Sequence, residues 1–301
     1  MKHRLQFKPY FRAVVASRNG VYLLSEKGGG FLRGALYAQV APLLDGRRDA
    51  NDIVDHLKEN QNPSQVYYAL GLLEKQGYIG SQTALPAPEA AYWDLLGIGE
   101  KSAARNLGEA KLSVTAVGRV SADGFRRGLK RAGVAMVNSP EHATHRVVLT
   151  DDYLHEEISR YNRRALREGW SYLLIRPSGG EVWLGPLVTP GSSACHECLA
   201  HRLRGLRGME HRLRSEGALK DSLATLTALP STLNLARELA LTEALKWIAT
   251  GETGRLRDRV LSFDTMNFRF EEHQLTRRPT CPACGDPDRF AHVAAQAAGV
   301  V

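Results

Sequence analysis

"GPLVTPGSSACHECLAHRLR", residues 185 to 204, runs from a strand-like apolar stretch into two cysteines and then into a basic helix. A CxxC pair alone reads as a thioredoxin-like dithiol or as half of a zinc knuckle. The other half lies at residues 281 to 286, "CPACGD", where Cys281 and Cys284 repeat the spacing of Cys195 and Cys198. With no fifth cysteine in the chain, the pattern predicts one tetrahedral zinc ion held by all four thiolates. Disulfides or unpaired thiols are the alternatives. A four-thiolate site has no open coordination position, so its role is structural: it clamps two segments far apart in sequence. Gly285 is expected to adopt a positive φ that turns backbone amides toward sulfur. His196 and His201 are expected on the solvent face of the following helix.

Working outward, the 301 residues, 43% hydrophobic and 7% aromatic, can bury a real core and predict two domains. Nothing reads as a membrane span. The basic start "MKHRLQFKPYFRAVVA" lacks an apolar signal-peptide core and a small-residue cleavage site, so a cytoplasmic location is expected, which also suits thiolate ligands. A net charge of +8 admits nucleic acid or an acidic peptide as partner without choosing between them.

Residues 1 to 82 read as a first domain. "FRAVVA" and "GVYLLS" are strands joined around Asn19-Gly20, a hairpin signal, and "GGGFLRG" supplies a third, glycine-flanked strand. Three helices follow: "ALYAQVAPLL"; "DANDIVDHLKEN" with Asp49 as N-cap; and "PSQVYYALGLLEKQGYI", bounded by Pro63, Ser64 and Gly77. Strands plus three short helices make a winged helix-turn-helix. Its third helix offers Ser64, Gln65, Lys75 and Gln76 around an apolar middle and no arginine, a poor surface for reading a DNA groove. The alternative is a peptide added as an extra strand at the edge formed by Gly29, Gly30, Phe31, Leu32 and Arg33. Its side chains would enter a trough completed by Val66, Tyr67, Leu70 and Leu73. The competing reading makes Phe31, Tyr67 and Leu70 ordinary core residues.

Residues 83 to 110 read as a linker, broken by Pro86 and Pro88, with "AAYWDLLGIG" a short helix within it. From 111 to 301 strands and helices alternate: "KLSVTAVG", "SADGFRRGLKRAG", "VAMV", "RVVLTD", "HEEISRYNRRALREG", "SYLLIRP" and "EVWLGPL", the last two turning at Gly179-Gly180. This predicts an α/β sheet with parallel crossovers. A long helix, "STLNLARELALTEALKWIAT", and two strands, "RDRVLSFD" and "NFRFEEHQL", lead to the second CxxC. A nucleotide turn after the first strand would need glycines where the backbone approaches phosphate. "VGRVSADG" keeps Gly118 and Gly124 but places Val120 and Ala122 in the turn, so no nucleotide is expected. Asp151 and Asp152 are adjacent on a strand end, point in different directions, and are not a catalytic pair. The basic stretch "HRLRGLRGMEHRLR" is taken as a solvated helix face, with an acidic-peptide or partner surface as the alternative.

Taken together, "LYAQVAPLLDGRRD" and "YYALGLLEKQGYI", then "GPLVTPGSSACHECLAHRLR", and finally "CPACGDP" resemble the ThiF-like, leader-peptide-binding C protein of azole- and azoline-forming systems, which modify ribosomally made peptides. The resemblance covers nearly the whole chain. It implies a PqqD-like winged-helix domain that captures the leader of a precursor peptide as an added strand. It further implies a domain similar to ThiF and ubiquitin-activating enzymes that has given up ATP chemistry. The implied partner is a YcaO cyclodehydratase, separate or fused, which uses ATP to convert Cys, Ser or Thr of the core peptide into thiazoline or oxazoline. This chain would hold the substrate without a catalytic residue of its own, and the similarity admits a homodimer. The sequence ends soon after "CGDP", so a separate partner or an excised portion of a fusion is expected. Two other functions compete: a ThiF-class adenylating enzyme, opposed by the lost glycine turn and by the lack of a spare cysteine for a thioester; and a winged-helix DNA-binding regulator, opposed by the apolar third helix.

Overall fold

A computed structural model describes residues 3–17, 19–81, 85–217, 227–251 and 255–286. The chain divides into two compact units, Met1–Arg105 and Asn106–Val301.

The first unit opens with β1 (Leu5–Phe7), followed by β2 (Arg12–Ser17), β3 (Gly20–Ser25) and β4 (Gly28–Arg33), an antiparallel three-stranded sheet in the order β2-β3-β4. Then come α1 (Ala35–Val40), α2 (Ala50–Leu57), α3 (Pro63–Lys75) and β5 (Ile79–Ser81). Asp49 caps α2 through a reciprocal box: its carboxylate accepts the Asp52 N–H, and the Asp52 side chain accepts the Asp49 N–H. Asn62, one residue before the expected start, caps α3. Gly77, at φ 77°, lets the chain turn out of that helix. One core holds the unit: Leu5, Val40, Ile53, Val66, Leu70, Leu73 and Ile79 are all buried. The three-residue strands β1 and β5 pair antiparallel, an element too short to show a period in the sequence.

The stretch expected to be a linker is largely helical: α4 (Ala87–Leu95) and α5 (Glu100–Glu109). Pro86 and Pro88 do not break structure here. They stand at and just inside the start of α4, where a missing N–H costs nothing. Ala90 and Trp93 are buried from α4, and Lys8 Nζ pairs with Asp94 Oδ1 at 2.6 Å. Residues 82–84, at the expected boundary, lie outside the described set.

In chain order the second unit holds β6 (Lys111–Val117), α6 (Asp123–Arg131), β7 (Ala135–Met136), β8 (His145–Thr150), α7 (Glu156–Glu168), β9 (Tyr172–Arg176) and β10 (Glu181–Val188). They are followed by α8 (His196–Leu206), α9 (Gly208–Ser215), α10 (Pro230–Thr250), β11 (Arg259–Asp264) and β12 (Arg269–Gln274). The seven strands form one sheet, β12-β11-β10-β9-β8-β6-β7. Pairings among β7, β6, β8 and β9 are parallel, whereas β9-β10-β11-β12 runs antiparallel. The expected parallel crossovers therefore make half of the sheet. The other half is antiparallel: Gly179-Gly180 and the turn after Asp264 close tight hairpins between β9 and β10 and between β11 and β12, whereas β10 and β11 are joined through α8, α9 and α10.

Candidate functional site: a four-cysteine centre and an unpaired sheet edge

Cys195 ends the loop after β10 and stands at the N-cap of α8, and Cys198 lies in that helix's first turn. The Cys195 carbonyl accepts the N–H groups of Cys198 and Leu199, so the first helical turn sets the two sulfurs side by side. Cys281 and Cys284 arrive on a tight turn beyond β12, in which Arg278 O accepts the Cys281 N–H and Cys281 O accepts the Gly285 N–H. The four sulfurs lie within 4.8 Å of one another, with Cys195 to Cys281 at 3.7 Å and Cys198 to Cys284 at 3.5 Å. A tetrahedron with zinc–sulfur bonds of about 2.3 Å has edges of about 3.8 Å. The donor set thus fits a tetrathiolate ion. It does not fit disulfides, which need sulfurs at about 2.05 Å, and all four cysteines are unbridged.

The surroundings support the same reading. The Arg278 N–H points at Cys198 Sγ, 3.4 Å away, as amides around thiolate-bound metals do. Among the described residues the amide that reaches sulfur belongs to Arg278, and Gly285 has no positive φ. Its glycine is required for a different reason: a Cβ there would run into Pro279 O and lie 2.5 Å from Cys281 O.

His196 departs from the solvent-facing position expected of it, whereas His201 is exposed. His196 is 0% exposed, and its Nε2–H donates to Tyr153 O at 2.6 Å, tying α8 to the segment after β8. Burial pushes its pKa down, so the ring is neutral and structural. Tyr153, likewise buried and not singled out from sequence, donates to Gly185 O at 2.6 Å and stacks edge-on against Trp183. Asp151 and Asp152 do point apart: Asp151 Oδ2 accepts the Arg119 N–H, and Asp152 Oδ1 pairs with Arg207 at 3.0 Å. In the basic stretch, Arg202, Arg204 and Arg207 have partners within the chain, Gln274 O, Glu197 and Asp152.

In the winged helix the proposed trough residues separate. Val66, Leu70 and Leu73 are 0%, 0% and 1% exposed, so they belong to the core and offer nothing to a peptide. Leu32 packs against that core. Phe31, one residue earlier on β4, projects to the opposite face of the sheet, where its ring lies 4.6 Å from that of Tyr22. Tyr67 is 45% exposed and donates its hydroxyl hydrogen to Asn51 Oδ1 at 2.7 Å. Among the described residues β4 pairs only with β3, so Gly29, Gly30 and Arg33 lie on an unpaired sheet edge.

A winged-helix module together with an α/β unit bearing four convergent cysteines defines a class of two-domain, metal-ready protein. Comparison with known proteins narrows it. A family model described as a winged helix-turn-helix domain matches residues 6–81. Comparison with curated proteins gives no match. The chain is 34% identical over 97% of its length to a heterocyclase solved in complex with substrate and cofactor, of which it spans 40%, with a TM-score of 0.86. It is 33% identical over 97% of its length to the heterocyclase TruD, of which it spans 44%, with a TM-score of 0.88. MccB of E. coli shares the fold at 12% identity and a TM-score of 0.62, covering 94% of this chain and 97% of its own. The chain is therefore related in sequence and fold to heterocyclases, over about two fifths of their length, and shares its fold with MccB.

Proposed function

We propose that this chain binds the leader of a ribosomally made precursor peptide and presents its core to a YcaO-type, ATP-dependent cyclodehydratase, which closes thiazoline or oxazoline rings. The observation that carries this reading is the similarity, at about one third identity over 97% of the chain, to two heterocyclases, one of them solved with substrate. The winged helix supplies the means. The free edge of β4 can add the leader as a strand, with Phe31 flanking one face and Tyr67 available on α3. Val66, Leu70 and Leu73 act behind them as core. The zinc ion, held by Cys195, Cys198, Cys281 and Cys284, ties α8 to the last described turn and takes no part in chemistry.

The test is fluorescence anisotropy of the full chain with a labelled leader of the precursor encoded near its gene. Phe31→Asp and Tyr67→Asp should each weaken binding about tenfold, as loss of an aromatic anchor does. Leader binding that is absent, or unaltered in both variants, would refute the groove.

A further inference from the structure

The β11–β12 hairpin of the second unit ends in a cluster of exposed apolar side chains. Met266, Phe268 and Phe270 are 65%, 76% and 58% exposed, whereas Phe263, paired with Phe270 across the hairpin, is buried. The Phe270 ring stacks on that of Phe263 at 4.4 Å, and the Phe268 ring stands edge-on to it at 5.8 Å. The three rings make one patch, rooted in the sheet through Phe263 and bare on its outer side.

The turn holds this patch in place. Asp264 Oδ1 accepts the N–H groups of Met266 and Asn267, and Asp264 Oδ2 accepts from Asn267 Nδ2. Gly180 O accepts both the N–H and the hydroxyl hydrogen of Thr265. Phe268 sits at φ 52°, a left-handed conformation that bulky side chains rarely adopt. Such a conformation persists only where the surrounding structure enforces it, and it marks the residue as a candidate for function. A rigid aromatic ring standing in water is a ready anchor for another protein, since little freedom is lost on contact. Ion pairs frame the patch along β12, Arg269 with Glu271 at 3.0 Å and Arg259 with Glu272 at 3.2 Å. An apolar centre with a polar rim is the anatomy of a protein interface. All six residues of β12 are exposed, and among the described residues the strand pairs only with β11.

A second copy of the chain suits this edge poorly. Antiparallel pairing of two β12 strands along their whole length would set Glu271 of one copy against Glu272 of the other, and like charges directly opposite repel. The heterocyclases point to a different occupant. This chain spans 40% and 44% of them, so more than half of each lies outside the part that resembles it. We propose that Met266, Phe268 and Phe270 form the surface on which the ring-closing enzyme docks. Phe268 enters an apolar pocket of that enzyme, and Met266 and Phe270 seal its margin. The proposal rests on the reading of this chain as the substrate-presenting partner of a cyclodehydratase.

Surface plasmon resonance of the full chain against the purified YcaO cyclodehydratase encoded near its gene tests the surface, with leader anisotropy measured on the same variants. Phe268→Gly suits the positive φ and so removes the ring without straining the turn. It and Phe270→Ser should each weaken enzyme binding about tenfold and leave leader affinity unchanged; melting curves confirm that both are folded. A wild-type chain that binds the leader but not the enzyme at micromolar concentration, or variants that bind the enzyme as the wild type does, would overturn the docking surface and spare leader capture. A chain that binds the enzyme through these residues but binds no leader would refute leader capture and uphold the surface. Sedimentation of the wild type as a dimer that Phe268→Gly dissociates would overturn the proposal in favour of a second copy.

Discussion

At the residue scale, the four-cysteine cluster was the most legible feature. Two CxxC pairs with no cysteine left over admit few arrangements, and the sulfurs converge as that count requires. The residues around them were harder to read. His196 is the first residue of α8 and tucks inward to reach Tyr153 O, a contact set by a segment 43 residues away that no local pattern encodes. Gly285 was recognised as necessary for the wrong reason, since sequence cannot tell a positive φ from a close approach of backbone. That distinction yields a prediction. Gly285→Ala keeps all four ligands and demands no unusual φ, yet its methyl group meets Pro279 O and Cys281 O. Metal analysis of purified wild-type protein should give one equivalent of zinc per chain. The variant should lose zinc to a chelator at concentrations the wild type withstands, and equal retention would show that the turn can yield.

At the element scale, long periodic segments were placed well: α3, α7 and α10 fall where their apolar spacing put them. The strands β1 and β5 span three residues each, below the length at which alternation can be seen, whereas the two-residue β7 lies within the expected strand "VAMV". The linker reading of residues 83 to 110 took Pro86 and Pro88 as breakers, although proline is at home where a helix begins. Helix packing adds a contrast between two glycines. Gly128 of α6 faces α10, and a Cβ there would lie 2.5 Å from Leu241 Cδ2 in a buried contact. Gly71 of α3 has nothing within 4 Å of its would-be Cβ. Gly128→Val should therefore destabilise by about 1–3 kcal/mol through overpacking. Gly71→Ala should stabilise by up to about 1 kcal/mol through helix propensity. Chemical denaturation of the two variants checks both signs, and a neutral Gly128→Val would mean that α6 and α10 pack less closely than described.

At the scale of the whole molecule, the order of modules could be read because each left its own mark: a hairpin and three capped helices, then alternating strands and helices, then paired cysteines. What the sequence could not separate was core from contact surface. The helical spacing that nominated Val66, Leu70 and Leu73 for a peptide trough is the spacing of a buried stripe, and the structure places all three in the core. The free edge of β4, by contrast, follows from topology, and the similarity to heterocyclases spans both units. In the proposed function this chain handles the substrate and a YcaO enzyme closes the rings. Mass spectrometry of a leader-bearing precursor incubated with that enzyme, ATP and magnesium, with and without this chain, tests the assignment most directly. Successive losses of water at Cys, Ser or Thr should require both the chain and the leader. Equal rate and extent of ring formation when the chain is omitted would contradict it.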